Sequence, residues 1–299
     1  MPTNAADLRR FETTGVTFHD TTGGLVRISI ATPLAAAEVY LQGAHIARYQ
    51  PAGAAPVLFL SEKTHLTPGK AIRGGVPIIF PWFGARAGHP ESPAHGFART
   101  MEWELESLVR HDNDDIHLVL RLSSNAATLA QWSHEFTIRH RITIGTKLHM
   151  ALEVENRSDT PFTFEEALHT YLAVGDVRSA SVTGLENSSF LDKVDSNQRK
   201  QEGTEPIRFI GETDRVYLDT TTTCVVEDPT LARRIAVEKS GSATTVVWNP
   251  WIEKAKAMAD FGDDEWPAML CIETTNADAN RITLPPNSSQ TMTATMRIA

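Results

Sequence analysis

The sequence predicts an all-β protein, built as a large antiparallel β-sandwich with a few short helices. About twenty short runs of strand-forming residues follow one another along the 299-residue chain. Turn residues separate most of these runs, and helical periodicity is sparse. No break in composition divides the sequence, so we expect one domain over residues 1–299.

The strand-like runs alternate apolar and polar residues, and turn sequences such as Gly23-Gly24 and Gly145-Thr146 join some of them into hairpins. Helices are predicted over 250–261, where Asn249 can cap and Pro250 suits the first turn, and as one turn near 126–133. The predicted hairpins are 15–20 with 25–30, 101–110 with 116–122, and 136–144 with 148–156. The other predicted strands are 37–41, 45–49, 76–80, 162–174, 178–183, 215–218, 222–227, 233–239, 244–248, 269–275 and 291–298.

The composition argues against several classes of protein. With 28 Lys and Arg against 37 Asp and Glu, the formal net charge is −9, which argues against nucleic acid as a partner. No apolar run approaches the ~20 residues that span a bilayer, and the first residues lack the apolar core of a signal peptide. Two cysteines make no disulfide framework, so we expect a reducing, cytoplasmic location. We also expect a monomer.

Residues 70–99 concentrate features of a binding site. Gly74 and Gly75 follow Arg73 directly, and without a Cβ they either let the backbone approach a ligand or adopt a positive φ. Between positions 63 and 99 the only acid is Glu91, although the whole chain is acidic. Arginine suits phosphate or carboxylate, whereas solvated surface charge is the simpler interpretation of basic residues alone. The basic residues here are Lys63, Lys70, Arg73, Arg86 and Arg99.

Two residues on predicted strands are candidates for acid–base chemistry. In strand 162–174, period two places His169 on the more polar face, where imidazole can exchange a proton near neutral pH. A structural histidine within the sheet explains this pattern equally well. Glu273 interrupts an apolar strand, opposite in phase to Leu270 and Ile272. Its carboxyl group is therefore paired, functional or at an exposed edge.

Other residues are candidates for ligand contact. His95 and Arg99 flank Phe97 in one loop, which presents both groups to a ligand or forms a loop ion pair over a core ring. Asp214 can bind a sugar hydroxyl or cap a turn, and Trp248 can stack on a sugar face or pack in the core. HExxH, CxxC, GxSxG and phosphate-loop motifs are missing from the sequence, so we expect no metal and no other cofactor.

Six segments together resemble the aldose 1-epimerase superfamily, and within it the D-hexose-6-phosphate mutarotase (glucose-6-phosphate 1-epimerase) branch. They occur in order over most of the chain, and the first two form the most specific combination. The segments are KAIRGGVPIIFPWFG (70–84), HGFAR (95–99), FEEALHTYLAVGDV (164–177), VTGLENSSFLDK (182–193), DRVYL (214–218) and WNPWIEKAKAMADFGDDEWPAMLCIET (248–274).

The resemblance implies a galactose-mutarotase-like sandwich that interconverts the α and β anomers of a hexose 6-phosphate, glucose 6-phosphate above all. It implies that Glu273 acts as base at the C1 hydroxyl (O1) and His169, in its protonated form, as acid at the ring oxygen (O5). The ring opens, the aldehyde end rotates, and reclosure reverses both roles. The resemblance also implies substrate-binding roles for Arg73, His95, Arg99 and Asp214, with phosphate held by the two arginines.

One position departs from the family pattern, because Ala94 precedes HGFAR where related sequences often carry glutamine. This leaves the preferred sugar open. Two alternatives remain, a non-catalytic module that binds or senses a sugar phosphate and a mutarotase for unphosphorylated aldoses. The pair of His169 and Glu273 argues against the first, and the basic cluster argues against the second. No pair of carboxylates supports a glycoside hydrolase.

Overall fold

The computed structural model describes residues 3–299 and confirms the predicted all-β architecture. The helices are short: α1 (Ala126–Gln131), α2 (Trp251–Ala257) and 3₁₀ turns at Ala5–Phe11, Ala98–Thr100, Trp266–Ala268 and Asp278–Asn280. The first twelve strands are β1 (Val16–Asp20), β2 (Val26–Ala31), β3 (Ala35–Tyr40), β4 (His45–Pro51), β5 (Ile78–Ile79), β6 (Glu104–Arg110), β7 (Ile116–Ser123), β8 (Phe136–Ile144), β9 (Leu148–Asn156), β10 (Phe162–Phe164), β11 (Glu166–Leu168) and β12 (Tyr171–Ala173). The remaining strands are β13 (Ser181–Thr183), β14 (Ser189–Asp192), β15 (Gln198–Gln201), β16 (Ile207–Arg208), β17 (Thr213–Leu218), β18 (Cys224–Asp228), β19 (Arg233–Ser240), β20 (Thr244–Asn249), β21 (Met269–Asn276), β22 (Ile282–Leu284) and β23 (Ser289–Ile298).

Two large sheets dominate the fold. One has nine strands in the order β16-β13-β18-β19-β23-β9-β8-β7-β6. The other has eight, in the order β15-β14-β17-β20-β21-β11-β5, with β12 also paired to β21. A four-stranded sheet, β1-β2-β3-β4, and the pair β10-β22 complete the described part of the chain. Within these residues no helix is both long and apolar enough to cross a membrane.

The large sheets differ in how their faces are buried. Along β8 buried and less buried residues alternate, so one face lies in the core and the other reaches solvent. Along β20 and β21 every residue is buried, so both faces of the eight-stranded sheet are covered at its centre. One hydrophobic cluster includes side chains of both large sheets, such as Ile272 of β21 and Met292 of β23. The other face of β21 is the one that carries the candidate site.

Some predicted elements differ from the observed ones. The run 162–174 is three short strands, because Glu165 and the segment 169–170 interrupt the pairing. The helix predicted over 250–261 begins at Trp251 and ends at Ala257. The predicted cap was wrong, because Pro250 and not Asn249 is the N-cap, although the side chain of Asn249 accepts a hydrogen bond from the backbone of Trp251. The strands that the sequence did not predict are β14, β15, β16 and β22.

The two glycines after Arg73 allow close packing of backbone. Gly74 and Gly75 have φ values of +115° and +60°. A Cβ on Gly75 would lie 2.2 Å from the carbonyl oxygen of Ile46, and Val76 donates its backbone N–H to that same oxygen. Of the two roles considered for this pair, the structure shows the positive φ, with Gly75 packed against β4 and Gly74 against residues 59–60.

Gly96 of the HGFAR segment also allows close packing of backbone, and its replacement tests this role. Its φ is +72°, and a Cβ there would lie 1.9 Å from the carbonyl oxygen of Phe80. We expect Gly96→Ala to lower the free energy of unfolding by ~2–4 kcal/mol, measured by denaturant titration. Gly88 is a matched control, since its φ is +75° with nothing within 4 Å of the added Cβ. Gly88→Ala should lower the free energy of unfolding by only ~1–2 kcal/mol, the cost of placing alanine in the left-handed conformation. Equal losses of stability in the two variants would contradict the steric account.

Candidate active site

A cavity of about 200 Å³ lies against the covered face of the eight-stranded sheet. It brings together six of the seven residues that the sequence nominated for catalysis or substrate binding. Its chemistry is mixed, with aromatic rings, two cations, two carboxyl groups and two imidazoles. The lining residues are Arg73, Phe83, His95, His169, Tyr171, Asp214, Val246, Trp248, Lys254, Met258 and Glu273.

The register of the sheet places these side chains in two neighbouring rows. Glu273 of β21 is the direct partner of Val246 on β20. His169 lies two residues before Tyr171, so it faces the row that contains Glu273. The other row runs across β12, β21, β20 and β17 and consists of Tyr171, Cys271, Trp248 and Asp214.

His169 and Glu273 are in direct contact. The Nε2 atom of His169 lies 3.2 Å from Oε1 of Glu273, and the two residues are 8% and 2% exposed. The imidazole stacks on the ring of Tyr171 with a centroid distance of 4.8 Å and an interplanar angle of 12°. β21 is a central strand, so Glu273 is not the exposed edge acid that the sequence also allowed.

Burial controls the charge of this pair. It raises the pKa of Glu273 well above its usual range, and the neighbouring carboxyl group of Asp214 acts in the same direction. Burial also lowers the pKa of His169 well below 6.5, with His95 and the arginines adding to the shift. Both shifts favour the neutral forms of the two groups.

Arg73 holds its guanidinium group at the cavity through two contacts. Nη1 donates to the hydroxyl group of Tyr171 at 2.9 Å, and Nη2 lies 3.1 Å from Oδ2 of Asp260. Tyr171 and, with it, Asp260 raise the pKa of Arg73, so the group stays charged. An anion that enters the cavity therefore meets a fixed cation that already has one carboxylate partner.

His95 is neutral and presents one donor. Its Nδ1 accepts the backbone N–H of Gly84 at 3.2 Å, so in the neutral ring the proton sits on Nε2. Burial lowers the pKa of His95 to about 3, and the charges of Arg99 and Arg73 act in the same direction. The ring lies edge-on to His169, 5.9 Å between centroids. His95 can therefore donate a hydrogen bond to a sugar oxygen beside His169.

Arg99 is the nominated residue that does not line the cavity. Its Nη2 donates to the carbonyl oxygen of Ala94 at 2.8 Å. Burial lowers the pKa of Arg99 to about 10, and the charges of Arg73, Asp260 and Glu273 also act on it. Arg99 therefore contributes to the electric field of the site, while Arg73 is the arginine that lines the cavity.

Sequence reasoning missed two further cations and the partner of Arg73. Lys254 of α2 lines the cavity and lies 2.9 Å from Glu212. Burial raises the pKa of Asp214 to about 6, and Lys254 and Lys193 oppose that shift, which places both amines near this carboxyl group. All of these residues lie in or beside segments that carry the resemblance. In the sequence they cannot be distinguished from ordinary charged surface residues, so they were not nominated.

Comparisons with known proteins identify the family of the chain. A family model described as "Aldose 1-epimerase" matches residues 26–298. A protein of Salmonella typhimurium named "Putative glucose-6-phosphate 1-epimerase" is 38% identical over 257 residues, which are 84% of this chain and 83% of that protein. A protein of the same name from Cenchrus ciliaris is 36% identical over 266 residues, 84% of this chain and 77% of that protein.

A solved structure extends the likeness to three dimensions. The crystal structure of a "putative mutarotase" from Salmonella typhimurium superimposes with a TM-score of 0.90 at 33% identity, covering 96% of this chain and 94% of that one. These comparisons confirm the resemblance that the six segments indicated. The chain therefore belongs to the aldose 1-epimerase family and is an isomerase, an aldose epimerase.

Proposed function

We propose that the protein interconverts the α and β anomers of a hexose 6-phosphate, with glucose 6-phosphate as the first candidate. The observation that carries the proposal is one cavity with a buried imidazole–carboxyl pair, His169 and Glu273, and a fixed guanidinium group, Arg73. The relatives from Salmonella typhimurium and Cenchrus ciliaris, whose names specify glucose 6-phosphate, support the choice of sugar.

The pair suits ring opening because the reaction moves one proton off O1 and one onto O5. Glu273 accepts the proton of the C1 hydroxyl group, and His169 donates a proton to the ring oxygen as the C1–O5 bond breaks. The pKa shifts favour the neutral groups, so the reactive pair forms when Glu273 transfers its proton to His169 across their 3.2 Å contact. Ring opening then leaves the pair with one proton, on Glu273. Rotation about the C1–C2 bond and reclosure on the other face return the proton and release the second anomer.

The remaining lining residues suit binding and orientation. We assign the phosphate group to Arg73, a contact that would select phosphorylated sugars and fix the distance from phosphate to C1. We assign hydrogen bonds with sugar hydroxyl groups to His95 and Asp214, and contact with an apolar sugar face to the ring of Trp248. Arg99 acts on the phosphate through its charge.

The proposal is tested by exchange NMR, which measures anomer interconversion at equilibrium and needs no pure anomer. We expect catalytic amounts of protein to accelerate exchange between the two anomers of glucose 6-phosphate far more than exchange between those of glucose. Acceleration of glucose alone would make the protein a mutarotase for unphosphorylated aldoses. Binding of glucose 6-phosphate without acceleration would contradict the catalytic roles.

A further inference from the structure

Three side chains with different ligand atoms converge at the base of the cavity. The imidazole of His169, the thiol of Cys271 and the carboxyl group of Glu273 each offer one atom, and these atoms lie within 4.8 Å of one another. All three residues are buried. The thiol has no part in the proposed reaction, so its presence beside the acid–base pair calls for a separate explanation.

The fold fixes this convergence. Cys271 and Glu273 are two residues apart on β21, so both side chains leave the strand on the same face. Cys271 is the direct partner of Tyr171, and His169 precedes Tyr171 by two residues. The backbone register therefore brings the three side chains to one face of the sheet.

The group contains polar atoms that lack partners within the described chain. Nδ1 of His169 and Oε2 of Glu273 are buried without a hydrogen bond, although each residue is otherwise engaged. Buried polar atoms of this kind are uncommon because they lose water without gaining a partner. Oε2 of Glu273 is therefore free to coordinate a cation, whereas Nε2 and Oε1 would exchange their mutual contact for the metal.

The ligand set favours a thiophilic divalent cation. Nitrogen, sulfur and carboxylate oxygen are the atoms that Zn²⁺ prefers, whereas Mg²⁺ and Ca²⁺ prefer oxygen alone. Nitrogen and oxygen ligands ~2.0–2.1 Å from a tetrahedral zinc ion are about 3.3 Å apart. The Nε2–Oε1 contact between His169 and Glu273 is 3.2 Å, close to that separation, and the three ligand atoms all lie within 4.8 Å of one another.

We propose that Zn²⁺ binds to His169, Cys271 and Glu273 and thereby inhibits the enzyme. The cavity supplies the fourth position of a tetrahedral site, which water or a substrate oxygen can occupy. Binding releases two protons, one from the thiol group and one from the imidazole–carboxyl pair. The bound metal occupies the lone pairs that acid–base exchange requires. The inhibition rests on the proposed function, whereas the binding does not.

The test titrates the metal-free full-length protein with Zn²⁺ in a chelator buffer and follows anomer exchange. We expect one zinc ion per chain and loss of activity, with no inhibition by Mg²⁺. Removal of an outer-shell partner already weakens a metal site by 10–100-fold, so loss of the thiol ligand in Cys271→Ser should raise the Kd at least ~100-fold. Cys271→Ala covers the case in which a buried hydroxyl group impairs folding.

Cys224 provides the matched control, because it is the other buried free cysteine and lies on β18 of the opposite sheet. Cys224→Ser should remain as sensitive to zinc as the parent, with each variant compared with its own metal-free rate. Co²⁺ gives a second readout, since a cobalt–thiolate charge-transfer band reports binding without any activity. A band in the parent that is missing in Cys271→Ser supports the site even if anomer exchange fails. Equal zinc affinity of the parent and Cys271→Ala would overturn the proposal.

Discussion

Replacing Glu273 with glutamine is expected to lower kcat for anomer exchange by ~10²–10⁴-fold, the usual contribution of one positioned acid–base group. Glutamine has nearly the same shape and can still hydrogen-bond to His169, but it neither accepts nor releases the proton of O1. The rate is measured by exchange NMR at saturating glucose 6-phosphate. Thermal unfolding of the same sample shows whether the fold is retained.

Glu166 offers a matched control for this substitution. It is a fully buried glutamate on the neighbouring strand β11, it accepts a hydrogen bond from Asn276 at 3.0 Å, and it does not line the cavity. Burial raises its pKa to about 8, in the same direction as that of Glu273. The two carboxyl groups are therefore both buried, but only that of Glu273 lies at the cavity. Glu166→Gln should therefore retain near-parental exchange. A near-parental rate in Glu273→Gln would remove Glu273 from the mechanism.

Replacing Arg73 with alanine is expected to raise KM for glucose 6-phosphate by about 10–100-fold while changing KM for glucose little. A hydrogen bond to a charged group contributes ~1.5–3 kcal/mol, and each 1.4 kcal/mol is tenfold in affinity. The substitution also leaves the carboxylate of Asp260 unpaired beside the phosphate position, which adds repulsion. Initial rates over a range of each sugar give both constants.

The double variant Arg73→Ala/Asp260→Asn separates the two causes, because it removes the cation without leaving the anion. We expect the KM of the double variant for glucose 6-phosphate to lie between those of the parent and of Arg73→Ala. Arg86→Ala is the control from the same segment, since Arg86 lies over the ring of Trp82 and donates to the carbonyl oxygen of Gln131. Its kinetic constants should not change. A similar rise in KM for both sugars in Arg73→Ala would show that Arg73 does not recognise phosphate.

Strict alternation made some strands predictable to the residue. The predicted runs 136–144 and 148–156 coincide with β8 and β9, where one face is buried and the other meets solvent. β15 has the sequence QRKQ at the edge of its sheet, and with no apolar face it gives no such signal. The 162–174 run was predicted as one strand because pattern does not reveal that Glu165 accepts the backbone N–H groups of Phe83 and Asp278.

The candidate site could be predicted only in part, because sequence periodicity gives the face on which a residue lies but not its partner on another strand. The sequence alone indicates that Glu273 and Ile272 face opposite sides of the sheet, and the observed pairing of β20 with β21 agrees with this. That His169 contacts Glu273 depends on the pairing of β12 with β21, which sequence spacing does not reveal. Cys271 has no histidine near it in sequence, so the sequence gives no sign of a role for its thiol. Its place beside His169 is visible only in the fold.

The proposed function requires one cavity to bind the phosphate group and to hold the anomeric centre between His169 and Glu273. The decisive measurement is a crystal structure of Glu273→Gln with glucose 6-phosphate. We expect the phosphate on Arg73, with O1 and O5 within ~2.6–3.2 Å of the side chains at positions 273 and 169. A phosphate bound away from Arg73, or an anomeric carbon remote from the pair, would contradict it.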